Sequence, residues 1–397
     1  MTRIYVKISN DKLSGTAECG EGTTATTISR RSTRKMKKPH VSAMGFIFLL
    51  LTVLVDLTSS SWWQLPVIPY YYSHGGLHSE PSQKLARSQL CNSYENSSFE
   101  VRRLCSISNK AIEIVVRGAR IGVEECQHHF RHSRWNCTAT PNSTSLYGEV
   151  PLTKSRETAY IHAINAASLA WSMTQACSKG ELTDCGCDNT KRKRKKKWQW
   201  GGCSDDINFG VQFSRKFIDI EEDNSTETGL MNLHNNEAGR RALRSRMHLM
   251  CKCHGMSGSC TTKVCWKRMP SMRVVSEALG QLYDGASHVK FISRGTKPPK
   301  LKPKEMDHKK IMKTGLVYLE ESSDYCERNE ELGILGTRGR VCNRTSPGLD
   351  GCRLLCCGRG YQTRVRHVEE KCNCQFVWCC KVKCDMCNHT REEHICN

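Results

Sequence analysis

Cysteine is the residue that most constrains this chain. The 397 residues include 25 cysteines, and all of these except Cys19 lie after position 90. Cytosolic proteins rarely carry thiols at this density outside metal clusters, whereas secreted proteins join them as disulfides. The cysteines after position 90 number 24, and full pairing requires an even number. We therefore expect a disulfide-rich protein that folds in an oxidising compartment.

The composition predicts a core that is modest for the length of the chain. Hydrophobic residues make up 38% of the sequence and the mean hydropathy is -0.53. A chain of this length permits two domains. Because the apolar content is low, disulfides must share the stabilising role.

The N-terminal part of the chain resembles a secretory leader. The basic region 30–38 precedes an uncharged apolar stretch, 45–55, which is too short to span a bilayer comfortably. The small residues 58–60 suit a cleavage site, so residues 1–60 are assigned to an extension and signal peptide and 61–90 to the start of the mature chain. A signal anchor is the alternative, disfavoured because Asp56 interrupts the apolar run, and Met44 is an alternative initiator.

Residues 91–294 have a largely helical pattern. Apolar residues repeat at three and four positions in 111–125 and 158–177, which is typical of packed helices. Ser204 is predicted to cap a helix over 207–220, a basic helix is predicted over 237–250, and another helix over 271–283. Prolines and lysines in 295–317 indicate a linker. Residues 318–397 contain 12 cysteines and predict a small module built on disulfides and short strands.

Four cysteines surround two serines in the run CKCHGMSGSCTTKVC, Cys251–Cys265. If the outer pair Cys251 and Cys265 and the inner pair Cys253 and Cys260 each join, the bridges nest as in a hairpin, with Ser257 near its tip. Gly255 and Gly258 are expected to supply the positive φ values of a tight tip. The simplest alternative is a small stapled turn whose serines only bond their own backbone.

Several further motifs accompany this run, and together they resemble the Wnt family of signalling ligands from about Cys91 to Asn397. The motifs are RWNCT at 134–138, WGGCSDD at 200–206, GTRGRVCN at 336–343, DGCRLLCCGRGY at 350–361 and CNCQFVWCC at 372–380. The resemblance implies an α+β, disulfide-rich fold. A helical, saposin-like N-terminal domain is expected to carry the first hairpin, and a small cysteine-rich C-terminal domain to carry further β-hairpins.

The same resemblance implies how such a ligand works. The serine matching Ser257 would carry a palmitoleoyl ester, added by a membrane O-acyltransferase during biogenesis. That acyl chain and a second hairpin tip would grip the cysteine-rich domain of a Frizzled receptor in developmental signalling. The expected tip residues are Phe376, Val377, Trp378, Cys379 and Cys380. An LDL-receptor-related co-receptor, a Wntless-type carrier and heparan sulfate proteoglycans are the other implied partners. No further cofactor, metal or catalytic residue is implied.

The disulfide pairing also comes from the resemblance, because six cysteines alone allow about 15 arrangements. Besides the two bridges of the first hairpin, the implied pairs are Cys126–Cys137, Cys177–Cys185, Cys187–Cys203, Cys326–Cys357, Cys342–Cys352, Cys356–Cys396, Cys372–Cys387, Cys374–Cys384 and a vicinal bridge Cys379–Cys380. Cys91 and Cys105 remain, and we expect them to pair with each other. Both of the pairs Cys372–Cys387 and Cys374–Cys384 are centred near position 379. They therefore predict a second stapled hairpin.

The formal net charge of +21 falls to +16 when residues 1–60 are removed. A secreted cation meets sulfated glycosaminoglycans rather than nucleic acid. The densest cationic run is Lys191, Arg192, Lys193, Arg194, Lys195, Lys196 and Lys197, which is the predicted heparan sulfate site; a solvated loop with no ligand is the alternative. Sequons predict glycosylation at Asn96, Asn142, Asn224, Asn343 and Asn388.

Three other classes of protein compete with a signalling ligand. A metal site would use the C-x-C and C-x-x-C spacings, but thiolates are consumed as disulfides in an oxidising compartment. A hydrolase would use Ser257 or Ser259 with His254 as base, yet GMSGS is not the G-x-S-x-G elbow and no third orienting acid is identifiable. We therefore expect no enzyme. A disulfide-rich matrix protein that binds heparan sulfate is the remaining alternative function.

Overall fold

Helix α1 is the first element that the computed structural model describes. The structure describes residues 109–140, 146–190, 198–295, 297–304 and 311–397, and they all belong to one compact unit. Several predictions lie outside the described residues: the leader, the Cys91–Cys105 pair, Asn96, Asn142 and the run 191–197. Within the described residues, no helix is both long enough and apolar enough to cross a membrane.

Five helices form the larger part of the fold. They are α1 (Asn109–Phe130), α2 (Arg156–Ser178), α3 (Ile207–Ile218), α4 (Glu227–Ser245) and α5 (Met272–Asp284). Helix α2 is buried along nearly its whole length, and apolar residues of the other four pack against it in a single core. Neighbouring helices approach α2 closely through glycines: a Cβ added at Gly239 would lie 1.9 Å from the carbonyl oxygen of Ala163.

Two of the helix predictions need correction, the N-cap of α3 and the bounds of the basic helix. Asp206 is the N-cap of α3, because its carboxylate accepts from the backbone N–H groups of Asn208 and Phe209. Ser204 is instead buried and accepts from the N–H of Lys267. The basic helix begins at Glu227, ten residues before the predicted start, and ends at Ser245. The polar first turns of α4 conceal its beginning, since Thr226 caps the helix and the residues buried there are Gly229, Met231 and the polar Asn232.

Three small sheets carry the remaining regular structure. The first consists of β1 (Gln199–Trp200), β3 (Thr262–Arg268) and β2 (His248–His254), in that order. The second has β5 (Lys297–Pro303), β4 (Ser287–Arg294) and β6 (Val317–Tyr318). The third has β7 (Val341–Cys342), β9 (Lys381–Cys396) and β8 (Tyr361–Val377), and a short helix α6 (Cys352–Leu355) precedes β8.

Part of the segment 295–317, which we expected to be a linker, forms a strand. Strand β5 pairs antiparallel with β4, and β6 begins at Val317. Leu301 packs against Val289 and Val317, so the segment buries more than its proline and lysine content suggested. Tyr325 and Ile334, from beyond this segment, belong to the same core as the helices.

Ten disulfides join the described cysteines, and all ten match the pairs implied by the family resemblance. They are Cys126–Cys137, Cys177–Cys185, Cys187–Cys203, Cys251–Cys265, Cys253–Cys260, Cys326–Cys357, Cys342–Cys352, Cys356–Cys396, Cys372–Cys387 and Cys374–Cys384. Two of them brace the β2–β3 hairpin, and Cys372–Cys387 and Cys374–Cys384 brace the β8–β9 hairpin. Disulfides stabilise mainly by restricting the unfolded chain.

Candidate functional site

The first hairpin, β2–β3, projects Ser257 at its tip. Cys251 and Cys265 lie directly opposite each other in the ladder, and Cys253 bonds Cys260 nearer the tip. A single helical turn, Met256–Gly258, connects the two strands. The two covalent links leave this turn little freedom, so the tip is a rigid projection.

Ser257 itself has the left-handed backbone at this tip, with φ 54° and ψ 30°. Gly255 is extended at φ -177°, so our expectation that it supplies a positive φ is wrong. The glycine is needed for space. A Cβ at position 255 would lie 2.3 Å from both the carbonyl oxygen and the Oγ of Ser259.

The two serines of the tip have different environments. Ser259 Oγ lies 3.0 Å from Thr261 Oγ1, so its hydroxyl is engaged by a neighbour. Ser257 is exposed, and its hydroxyl makes no hydrogen bond within the described part of the chain. The side chain of Met256, beside it, is 91% exposed. The tip therefore presents one free hydroxyl next to an apolar side chain. Ser257 was predicted from the sequence as a site residue, and Met256 was not.

The WGGCSDD segment anchors the base of this hairpin to the helices. Trp200 pairs with Cys265 in parallel, and the N–H of Gly201 donates to the carbonyl of Cys265 at 3.1 Å. The carboxylate of Asp205 accepts from the N–H of Met269 at 2.7 Å and from the hydroxyl of Ser178, at the end of α2, at 2.5 Å. Strand β3 is thus fixed to the end of the central helix.

The second hairpin, β8–β9, is much longer than the ribbon predicted around position 379. Its ladder runs from the pair Tyr361 and Cys396 to the pair Val377 and Lys381, with an irregularity between Cys372 and Gln375. Residues 378–380 form the connecting turn. The nested bridges of the sequence prediction are both present near this tip.

The tip of the second hairpin is apolar and open to solvent. Trp378 is 87% exposed and Phe376 is 70% exposed, so neither packs on its own domain. Phe376 lies directly opposite Val382 of β9. Met386 follows Cys384 by two residues on β9 and extends the exposed apolar surface. Period-two alternation in the sequence predicts Val382 on the apolar face of this ribbon, and the same alternation continued along β9 would have identified Met386 as well.

The predicted vicinal bridge is absent from the structure. Cys379 and Cys380 are both exposed free thiols, with φ values of 83° and 69°. Two consecutive left-handed residues complete the reversal from β8 to β9, and a bond between adjacent cysteines would have to close a small strained ring within this turn. The turn is therefore made by backbone conformation, with no bond between the two sulfurs.

A half-buried arginine connects the C-terminal part of the chain to the RWNCT loop. Arg340, from the GTRGRVCN motif, donates to the carbonyl oxygens of Ser133 at 2.8 Å, Arg134 at 2.7 Å and Arg131 at 3.1 Å. Burial lowers the pKa of Arg340 from its ordinary value. The guanidinium satisfies three main-chain acceptors that the loop itself leaves open.

The geometry gives little support to a hydrolase site at Ser257 or to a metal site. Ser257 has no hydrogen bond to His254 among the described residues, and it lies on an exposed tip rather than in a cleft. Three sulfurs, those of Cys342, Cys356 and Cys396, lie within 4.8 Å of one another as a metal site would require. All three belong to disulfides, so no thiolate is available there.

The model of the Wnt family matches residues 94–397, which is most of the chain. The chain belongs to the Wnt family. Members of this family are signalling ligands, not enzymes, and they are secreted. The motifs that anchor both hairpins all fall within the matched residues.

Two solved structures are similar to this chain to different degrees. A chain of the structure described as human WLS in complex with WNT8A is 39% identical to this Wnt chain, with a TM-score of 0.53, over 72% of this chain and 93% of that one. The Drosophila WntD N-terminal domain-linker, residues 31–240, is 20% identical with a TM-score of 0.36, over 54% of this chain and 98% of that one.

Proposed function

We propose that this chain is a secreted Wnt ligand that binds the cysteine-rich domain of a Frizzled receptor through two hairpin tips. A palmitoleoyl ester on Ser257 is the first contact, and residues Phe376 to Cys380 are the second. The observation that carries the proposal is the contrast at the first tip: Ser257 presents a free, exposed hydroxyl, whereas the hydroxyl of Ser259 is engaged by Thr261.

The energy of the first contact would come from the acyl chain. A buried methylene contributes about 0.8 kcal/mol, so a long chain held in a receptor groove supplies on the order of 10 kcal/mol before ordering costs. A rigid tip reduces those ordering costs, because the left-handed turn and the two bridges already fix the position of the ester oxygen. The exposed Met256 would continue the apolar surface beside the acyl chain.

The second contact would be a compact aromatic one. Trp378 and Phe376 are exposed on a braced hairpin, and aromatic anchors of this kind dominate many interfaces. Because the tip already holds both rings in solvent, binding would bury them at little conformational cost.

The remaining partners follow from the biogenesis of such a ligand. A membrane O-acyltransferase would attach the lipid, and a Wntless-type carrier would shield it from water during transport. The WLS complex of WNT8A, a relative at 39% identity, supports the carrier. An LDL-receptor-related co-receptor and heparan sulfate proteoglycans of the matrix complete the set. Glycosylation is proposed at Asn224, Asn343 and Asn388, which are exposed, and also at Asn96 and Asn142.

A matrix protein whose main activity is heparan sulfate binding is the second candidate. The seven consecutive cations 191–197 favour it, because a run of this density cannot be buried. The two functions differ in their dependence on lipid: heparan sulfate binding requires none.

The deciding experiment is metabolic labelling of the secreted protein with a clickable fatty acid, followed by peptide mapping of the adduct. We expect the label on the peptide that contains Ser257, and we expect the labelled fraction to bind an isolated Frizzled cysteine-rich domain. A secreted protein that carries no acyl group yet activates the receptor at full potency would contradict the proposed role of the lipid. A protein that carries no acyl group, does not bind the receptor domain and binds heparin would favour the matrix function.

A further inference from the structure

The β4–β5 hairpin has a cationic face that the proposed function does not use. Lys290 lies directly opposite Lys302, and Lys300 lies opposite Ile292. Residues opposite each other, and residues two apart along a strand, share one face of a sheet. Lys290, Lys300 and Lys302 therefore lie on the same side of the hairpin, and all three are exposed. We call this surface the lysine face.

The other face of the hairpin fixes its orientation. Val289 is 1% exposed and packs with Met231 of α4 and with Val317, while Leu301 packs against the same cluster. Val289 and Leu301 occupy the alternate positions, so the apolar side faces the protein and the lysine face points away from it. The cations are thus carried on a strand pair that is held against the helical part of the chain.

Nothing within the described residues neutralises these lysines. None of the three ammonium groups forms an ion pair or hydrogen bond there, whereas the neighbouring Lys304 lies 3.4 Å from His288, which itself pairs with Glu321. Like charges placed directly across a ladder destabilise it. An anion bound across Lys290 and Lys302 would remove that repulsion.

The edge of the sheet limits what kind of anion can bind. Strand β5 is an edge strand, and Pro298, Pro299 and Pro303 have no backbone N–H to donate. A partner protein therefore cannot easily add a strand there by main-chain pairing. Recognition must go through the lysine side chains, which are spaced by about 5 Å across the ladder and about 7 Å along a strand.

We propose that the lysine face binds a linear sulfated polysaccharide, as a site separate from the run 191–197. Such a chain carries anionic groups at regular intervals and needs no main-chain donors from its partner. The proposal does not rest on acylation of Ser257, and it goes beyond the receptor contacts of the two cysteine-braced hairpins. It predicts that polyanion binding survives removal of the run 191–197.

The test compares two triple variants of the full secreted protein. One replaces the lysine face, Lys290→Gln, Lys300→Gln and Lys302→Gln, and the other makes the same charge change on exposed helix residues, Lys110→Gln, Lys179→Gln and Lys216→Gln. The affinity for size-defined heparin is measured as a function of NaCl concentration. For nucleic acids, each cation contact contributes roughly 0.7 to 0.9 to the slope of log affinity against log salt. We expect the slope to fall by about 2 for the lysine face and to change little for the control.

Competing polymers identify the class of ligand, and two outcomes would overturn the proposal. We expect heparin to compete for the lysine face, and desulfated heparin and polyglutamate of equal length to compete weakly. Equal losses of heparin affinity in the two triple variants would mean that binding depends only on the net charge of the protein. Equal competition by polyglutamate would point to an acidic protein instead. Fatty acid labelling and receptor binding, measured in parallel, should be normal in both variants, so failure here is distinguishable from failure of the proposed receptor contacts.

Discussion

Ser259 and Thr261 engage each other through their hydroxyl oxygens, 3.0 Å apart, and Ser259 lies only two residues after the exposed Ser257. This pairing distinguishes two serines that the sequence GMSGS leaves nearly equivalent. An acyltransferase would have to break a hydrogen bond to reach Ser259, whereas the Ser257 hydroxyl is already available. The geometry thus gives a reason for modification at one site.

Replacement of Ser257 by alanine should abolish fatty acid labelling and nearly all signalling. The substitution removes the acceptor oxygen but leaves the Cys251–Cys265 and Cys253–Cys260 bridges intact, so the chain should still fold. Labelling with a clickable fatty acid and a receptor reporter assay measure the two effects. Ser259→Ala is the matched control and should retain both labelling and signalling; a Ser257→Ala protein that keeps both would refute the assignment.

Trp378→Ala should weaken receptor binding while leaving secretion unchanged. The ring is 87% exposed, so its removal costs little folding energy, and loss of an aromatic anchor typically costs about 2 kcal/mol, or roughly 30-fold in Kd. Titration against an immobilised cysteine-rich domain gives the change. Val365→Ala, an exposed apolar position far along β8, serves as control and should bind normally. Poor secretion of mispaired Trp378→Ala material would instead indicate a packing role.

Gly255→Ala should disrupt presentation of the acylation site. The added methyl carbon would lie 2.3 Å from two oxygens of Ser259, so the tip must shift. We expect the acylated fraction of secreted protein to fall several-fold, as measured by gel shift after click labelling. Gly295→Ala adds the same methyl group where nothing lies within 4 Å, and its acylation should match that of the unmodified chain.

Arg340→Lys should destabilise the junction with the RWNCT loop. Lysine keeps the charge but cannot reach the carbonyls of Ser133, Arg134 and Arg131 at once. The loss of charge-assisted hydrogen bonds from a half-buried guanidinium should cost about 1 kcal/mol, visible as a lower thermal unfolding midpoint. Arg338→Lys, at a side chain that is 71% exposed, should leave the midpoint unchanged. Equal midpoints for the two variants would exclude this role of Arg340.

Neutralising the run 191–197 with serine and glycine should lower the salt concentration needed for elution from heparin. Exposed cations act through a field that is screened over about 8 Å at physiological ionic strength, so receptor affinity should not change. An unchanged elution profile would show that the run binds no sulfates. Combination with the lysine-face substitutions should lower the elution point further than either set alone.

The sequence predicted best those helices that bury apolar residues on one side or around nearly their whole surface. The repeats within α1 and α2 were found because apolar residues recur at helical spacing. The beginning of α4 was missed because several of the buried residues between Glu227 and Arg240 are polar. Hydrogen bonds compensate for their burial: the side chain of Asn235, for example, bonds the backbone of Val317. Apolar periodicity cannot detect a helix whose inner face is amide-rich.

The backbone conformation and the bonding of the two hairpin tips were harder to predict from the sequence. Gly255 and Gly258 were expected to supply the positive φ values of the first tip, yet Ser257 takes that conformation there, and Cys379 and Cys380 take it at the second tip. Gly255 is required for close packing, which depends on where Ser259 lies in space. Likewise, the family resemblance implied a Cys379–Cys380 bond, but the turn is made with both thiols free. Local composition predicts that a turn exists. Which residue of the turn takes the positive φ depends on the residues that pack around it.

The bridges across the two long hairpins have a consequence for motion. Amides in the fully buried helix α2 should exchange with solvent deuterium only when the whole protein unfolds, whereas the exposed ladders of β2–β3 and β8–β9 should open and exchange locally. Strands whose two faces are both exposed have a weakly specified register and can slip when they open. Here Cys251–Cys265 and Cys374–Cys384 stay joined while the hydrogen bonds around them open and close, so each tip returns to the same alignment after every fluctuation.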